Sequence, residues 1–199
     1  MNLIQVIIIL LFSLTLHELM HALVSDWLGD TTARQHGRIS LNPLAHIDPF
    51  MTLLLPALLI LAGSPVIFGA AKPVPFTPWA VRYGKWGIAL VSVAGPITNL
   101  AIAVILSIYL HFFYSAFLLT AISVNVAFFV FNMIPFPPLD GSRVLYAVAP
   151  HGLRDVMDKI EGAGMAALFL FMFVGFRFIA PFMSVAVTSI MRFLIPGIM

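Results

Sequence analysis

Residues Leu11 to Trp27 read LFSLTLHELMHALVSDW, and they place two histidines and a glutamate inside the first long apolar segment. On a helix, residues four apart lie about 40° apart around the axis, so His17 and His21 share one face. Glu18, next to His17, can reach a water held between them. The pattern His17-Glu18-Leu19-Met20-His21 is H-E-x-x-H, in which two imidazoles bind zinc and the glutamate is a general base. Charged groups at that depth cost roughly 2 to 3 kcal/mol each on insertion scales, and such residues are normally functional or paired.

The rest of the composition agrees with a membrane setting. Of 199 residues, 61% are hydrophobic and 9% charged, with mean hydropathy +1.07. A soluble domain carries about 25% charged residues. The apolar runs are long and do not alternate, which favours a helical bundle over a barrel. The expected fold is an all-α polytopic membrane protein with about five to six transmembrane segments. It is expected to be a single domain over 1–199, with a core over 1–145 and C-terminal helices over 146–199. The net charge of +2 is scattered between apolar segments, so it points to topology and not to nucleic acid. Without cysteine, disulfides and thiolate ligands are excluded, and a metal must be held by His, Asp or Glu. The first segment lacks a basic start and leads straight into the metal motif, so it does not read as a cleavable signal peptide.

In chain order, Asn2 to about Leu28 is the first expected span. Thr31 to Asn42 suggests a short hairpin or loop, and the proline-bracketed Pro43–Pro49 cannot be regular helix throughout. Phe50–Ala62 is apolar but short, with Pro56 in the middle, and suits a re-entrant element. Gly63–Pro78 reads as extended chain, giving a short re-entrant or extended region between the first two spans. Tyr83–Tyr109 is a long segment whose small residues permit close helix contact and whose Asn99 suggests an inter-helix hydrogen bond. Phe112–Phe131 is the next span, with Asn125 and Asn132 in or near it. It runs into NMIPFPPLDG (Asn132–Gly141), where three prolines and a glycine break the helix. Such a break at membrane depth is tolerated only where it is buried or lines a wet cavity. Ser142–Glu161 is amphipathic and suggests one surface helix. Gly162–Ala180 and Pro181–Ile198 suggest either a hairpin or one kinked element.

Charge tests this topology. If Phe50–Ala62 does not cross, Arg34, Arg38, Lys72, Arg82 and Lys85 lie on one side and Arg143, Arg154 and Lys159 return to it. The uncharged link His111–Ser115 lies opposite. This is a positive-inside pattern with about five spans and the N-terminus outside. The first helix and the Asn125–Asn132 helix then run parallel, and His17, His21 and Asp140 can meet in the cytoplasmic half.

Catalytic zinc takes three protein ligands and leaves a fourth position open. Asp26 follows His21 by five residues, on a different face. His46 and Asp48 could support the site from the proline-bracketed loop. Asp140, after the helix break and before a glycine, is the strongest candidate for the third ligand; the alternative is an N-cap for the following helix. Asn132 is the natural amide donor for an oxyanion.

On these motifs the chain resembles the site-2 proteases, a family of intramembrane zinc metalloproteases. The matching stretches are HELMH (His17–His21), SVAGPITN (Ser92–Asn99) and NMIPFPPLDG (Asn132–Gly141). GRISLNPLAHIDP (Gly37–Pro49) and GAAKPVPF (Gly69–Phe76) resemble the compact bacterial and archaeal branch. The resemblance implies Zn²⁺ held by His17, His21 and Asp140, with Glu18 catalytic and Asn132 in the active site. It implies a multi-pass protein of the cell membrane that cuts single-pass membrane proteins or membrane peptides within the lipid bilayer. The stretch GAAKPVPF would pair with an unwound substrate as an added strand. Two departures stand out: many relatives have a helix before the metal helix, and many carry a PDZ or CBS domain. Two other readings compete, a metal transporter and an inactive helix-binding scaffold. Glu18 argues against the first, since a carrier needs no base, and the complete set His17, Glu18, His21 and Asp140 argues against the second.

Overall fold

A computed structural model describes residues 3–63, 69 and 71–197. The expectations that touch residues 2, 64–68, 70 and 198 lie outside the described residues. The described chain is all-helical, and no strand occurs among the described residues. Three helices are long and apolar enough to cross a membrane: α1 (Leu3–Trp27), α4 (Lys85–Phe112) and α8 (Met165–Leu194). Between them lie α2 (Thr32–Gln35), α3 (Pro49–Leu61), α5 (Ala116–Asn132), α6 (Asp140–Val148) and α7 (His151–Gly162). By length and composition the crossing helices number three among the described residues, where the sequence suggests five to six. The 17-residue α5 and the 13-residue α3 are apolar but shorter. At 1.5 Å per residue α3 reaches ~20 Å, short of a bilayer core of about 30 Å.

Helices α1, α4 and α5 form the centre. Contacts between His21 and Val91 and between Ser13 and Asn99 set α1 and α4 antiparallel. The tight link after Phe112 returns α5 antiparallel to α4, so α1 and α5 run in the same direction. Ala103 and Leu110 of α4, Ile122 and Val126 of α5, and Met191 of α8 pack into one buried cluster. Many large apolar side chains point outward, including Ile8, Phe12, Ile105, Phe178 and Phe182, as a helix bundle in lipid requires.

Several local expectations change. Thr31–Asn42 holds the short helix α2 instead of a hairpin. The amphipathic stretch Ser142–Glu161 is two helices, not one, because Pro150 lacks an amide proton and Ala149 before it is extended (φ −64°, ψ 145°). The last two apolar runs form one continuous helix through Pro181, so the hairpin alternative is not what forms. Helix α4 begins at Lys85 because Tyr83 and Gly84 both take positive φ (66° and 52°), which turns the chain into the helix.

The segment 71–77, without regular structure, is stitched to the end of α1 and its loop. Buried Arg38 donates to the carbonyls of Ala45 and Pro73, and the Lys72 amide donates to the His46 carbonyl (2.9 Å). Asp30, fully buried, accepts from Ser25 Oγ (3.1 Å), the Thr32 amide and hydroxyl (3.0 and 2.5 Å) and the Thr77 amide (2.7 Å). Burial pushes the Asp30 carboxyl up, but hydrogen bonds from Thr32, Thr77 and Ser25 outweigh it and hold the group below the usual carboxylate range. A depressed folded value stabilises the fold above the unfolded value of about 3.9 and is lost as pH falls through the folded one. The melting temperature in detergent should therefore drop on acidification below about pH 4. Asp30→Asn should melt lower at neutral pH and lose part of that acid dependence; parallel profiles for the two proteins would count against this role.

Candidate metal centre

Three potential ligand atoms converge where α1, α4 and the start of α6 meet. His17 Nε2 and His21 Nε2 are 3.0 Å apart, and Asp140 Oδ2 lies 3.2 Å from the first and 3.3 Å from the second. Both histidines are buried and Asp140 is nearly so. Asp140 Oδ2 has no hydrogen-bond partner among the described residues.

The far sides of the imidazoles fix what faces inward. The Val91 carbonyl is 2.8 Å from His21 Nδ1, and a carbonyl only accepts, so His21 carries its proton on Nδ1. His17 Nδ1 is 2.6 Å from Asn99 Oδ1 and donates likewise. In neutral imidazoles both Nε2 atoms are then bare. Two nitrogen lone pairs and a carboxylate oxygen therefore face one another at about 3 Å, an arrangement that repels itself unless a cation sits among them. With no proton between them, the 3.0 Å approach of the two imidazoles is an edge that a shared cation would span. Tetrahedral zinc with bonds of about 2.0–2.1 Å sets its ligand atoms about 3.3 Å apart. Donor set, spacing and orphaned carboxylate oxygen all fit such an ion.

Local sequence explains the convergence. Val91, Gly95 and Asn99 are spaced four apart along one face of α4, and this face meets His21 and His17. Gly95 lets the helices touch: a Cβ there would sit 2.7 Å from His17 Nε2 and closer still to His21 Nε2. Pro96 has no amide to give the Ser92 carbonyl, which loosens the helix beside this contact. Across the site, Gly141 packs directly under the broken segment; a Cβ would meet Ile134 O at 2.8 Å and press harder on the Met133 carbonyl. Leu139 is the N-cap residue and Asp140 the first residue of α6. The Asp140 carboxylate turns to the histidines, and the capping alternative is not what forms. Phe136, stacked on Phe171 of α8 at 4.4 Å between ring centres, with Ile134 and Leu139 buried beside it, holds the broken segment against the last helix.

Gly95→Ala should consequently disrupt the centre. The added methyl overlaps two ligand atoms, and overpacking of this kind costs typically about 1–3 kcal/mol. The expected result is loss of tight zinc binding with helical content retained, read by metal analysis beside circular dichroism. Zinc retained at wild-type affinity would contradict the close approach.

The remaining site residues from the sequence fall as follows. Glu18 follows His17 on α1, is half-buried, and forms no hydrogen bond with another described residue. Asn132 ends α5, half-buried, with its amide donating to the Phe128 carbonyl (3.0 Å) and one N–H left over. Asp26 is not in the group; it pairs with Arg34 (2.8 and 2.5 Å). His46 and Asp48 do not support it either: His46 bonds the Ser40 carbonyl, and Asp48 caps the start of α3. Asn99 joins helices as expected, but the sequence does not show that its partner is His17, and the Val91 carbonyl carries no sequence signal at all.

Comparison with known proteins points the same way. "Putative zinc metalloprotease YwhC" of Bacillus subtilis (strain 168) is 38% identical over 183 residues, covering 84% of this chain and 79% of that protein. "Putative zinc metalloprotease Rip2" of Mycolicibacterium smegmatis is 35% identical over 148 residues, covering 71% of this chain and 54% of that protein. The Rip2 protein of Mycobacterium tuberculosis (strain H37Rv) is 31% identical over 179 residues, covering 86% and 65%. No family model matches the chain, and no solved structure does.

Proposed function

Because the chain belongs to the site-2 protease family of zinc metalloproteases, we propose that it hydrolyses peptide bonds within the membrane-spanning segments of other proteins. Zn²⁺ is its cofactor. The observation that carries the proposal is the trio of ligand atoms from His17, His21 and Asp140, with Glu18 next to His17 in the chain and without a hydrogen bond to another described residue.

Depth supports an intramembrane reaction. Trp27, Trp79, Tyr83 and Trp86 are exposed at one end of the bundle, and Tyr109 and Tyr114 at the other. Such aromatic belts mark the two interfaces of a membrane protein. Gly95, against the ligand atoms, lies about 14 Å along α4 from Trp86 and about 21 Å from Tyr109 at 1.5 Å rise per residue. The metal group thus sits inside the apolar layer, nearer the tryptophan end. That end carries Arg34, Arg38, Lys72, Arg82 and Lys85, so we read it as cytoplasmic. In this reading α5 crosses as well and α3 re-enters.

Zinc held here supplies a Lewis acid that polarises a carbonyl and lowers the pKa of a water toward neutrality. Glu18 accepts the proton of the attacking water as its oxygen bonds to the scissile carbonyl carbon. It then returns that proton to the amide nitrogen as the C–N bond breaks, releasing a carboxylate and an amine. The spare N–H of Asn132 is the donor for the oxyanion, worth about 10²–10³ in rate if its subtilisin counterpart is a guide. The extended segment 71–77 offers backbone to a substrate helix that must unwind before it can be cut. The substrates are single-pass membrane proteins or membrane peptides.

The test is the purified protein in detergent with a transmembrane peptide, before and after metal chelation. Hydrolysis should disappear with zinc and return on its addition. Hydrolysis that survives complete metal removal would reject the proposal.

A further inference from the structure

Behind the metal centre runs a buried polar chain that takes no part in the chemistry above. Three of its members, Ser13, Asn125 and Asn99, sit on three different helices, and each is essentially inaccessible. Polar groups cost several kcal/mol in an apolar layer unless each is bonded, so a chain of them is there to hold something.

Its hydrogen bonds have one consistent direction. Asn125 Nδ2 lies 2.8 Å from the Ala121 carbonyl and 2.9 Å from Ser13 Oγ, so its nitrogen faces both and its oxygen faces Asn99. Asn99 Nδ2 lies 3.0 Å from that Asn125 oxygen and 3.3 Å from the Ser13 carbonyl. Flipping the Asn99 amide would set its oxygen against two oxygens, so the orientation is imposed by its neighbours. Asn99 Oδ1 is then an acceptor aimed at His17 Nδ1, 2.6 Å away. His17 meets that oxygen by donating from Nδ1, which leaves Nε2 bare on the side of Asp140.

We propose that Ser13, Asn125 and Asn99 are positioning residues that lock His17 in its Nδ1–H tautomer with Nε2 presented for the metal. The inference rests on the metal centre proposed above, yet its first link can be tested without metal. His21 obtains the same tautomer from the backbone carbonyl of Val91 alone, which side-chain substitution cannot remove. The two ligands therefore differ: one is fixed by α4's backbone, the other by side chains on α4, α5 and α1. Outer hydrogen-bond partners of this kind are worth about 10–100-fold in metal affinity.

Three variants separate this role from simple packing. Asn99→Leu keeps the volume but removes the acceptor. Asn99→Asp keeps an acceptor oxygen toward His17, and its second oxygen, as a carboxyl O–H, donates to the Asn125 oxygen where the amide N–H did. Asn125→Leu removes the group that orients Asn99 and leaves the acceptor itself in place. Zinc affinity is measured by chelator competition, and the ring nitrogens of His17 are read by ¹⁵N NMR in the metal-free protein. Asn99→Leu should bind zinc about 10–100-fold more weakly and show mixed His17 tautomers. Asn99→Asp should stay within a few-fold of wild type with Nδ1 protonated, and Asn125→Leu should fall between. If Asn99→Leu does not fold, Asn125→Leu and Asn99→Asp still give the ordering. Equal affinity in Asn99→Leu and wild type, or Asn99→Asp as weak as Asn99→Leu, would overturn the proposal. A wild-type protein with ordered Nδ1–H His17 but no affinity for zinc would reject the metal centre and leave the tautomer assignment standing.

Discussion

Glu18→Gln is expected to abolish peptide hydrolysis while leaving zinc in place. Glutamine matches glutamate in shape, so the packing of α1 is preserved. No hydrogen bond to another described residue depends on the carboxylate, and none of the three ligand atoms is changed. What is lost is the ability to accept a proton from water and hand it to the departing amine. General acid–base catalysis contributes typically about 10²–10⁴ in rate. The drop should meet or exceed that range, because one group serves in both proton transfers. Metal content of the variant, measured beside its activity, should remain about one zinc per chain, as one set of three protein ligands requires. A variant that cuts as well as wild type would remove Glu18 from the mechanism.

Asp140→Ala is expected to abolish both activity and tight zinc binding. The group contains one anionic ligand and two neutral imidazoles, all buried or nearly so. Removing the carboxylate leaves a dication in an apolar layer with no compensating charge from its ligands and an incomplete coordination shell. The loss should exceed the about 10–100-fold that removal of an outer hydrogen-bond partner causes. The protein itself should be no less stable without metal, since Asp140 Oδ2 has no hydrogen-bond partner among the described residues and faces two bare nitrogens. Metal-free melting that is equal or higher in Asp140→Ala, with zinc no longer raising it, is the expected signature. Zinc stabilising the variant as much as wild type would show that the third ligand lies elsewhere.

Much of this centre is legible in the amino-acid sequence alone. H-E-x-x-H brings His17 and His21 together because four-residue spacing stacks side chains on one helix face, with Glu18 the base proposed between them. Asp140 follows because three prolines and a glycine break the chain at membrane depth, where broken backbone must serve a cavity. Gly95 is legible as a close contact, though not as the residue on which both imidazoles rest. The supporting contacts are harder to read. The carbonyl of Val91 belongs to every residue type, so no sequence pattern marks it. Asn99, Asn125 and Ser13 are visible as polar groups in apolar helices, but their pairing depends on the relative rotation of three helices. Asp30 stands out as a helix-ending polar residue, and its bond to the Thr77 amide spans 47 positions that local pattern cannot connect. Where the fold departs from expectation, the causes are local. The amphipathic pattern over 142–161 masks the break that Pro150 imposes, and α8 carries through Pro181, a residue that ordinarily ends or kinks a helix. Hydropathy does not distinguish the long helices from the shorter α3 and α5, so the three long helices account for only part of a count of five to six.

A peptide bond cut inside the bilayer, at the His17–His21–Asp140 centre, is the reaction on which everything above depends. The most direct test reconstitutes the zinc-loaded protein in vesicles with a single-span peptide and locates the cut by mass spectrometry, with Glu18→Gln in parallel. The predicted cut falls within the peptide's apolar stretch, roughly 14 Å from the interface marked by Trp86, and is absent in the variant. A cut confined to the peptide's water-exposed ends, or the same cut with Glu18→Gln, would contradict intramembrane hydrolysis at this centre.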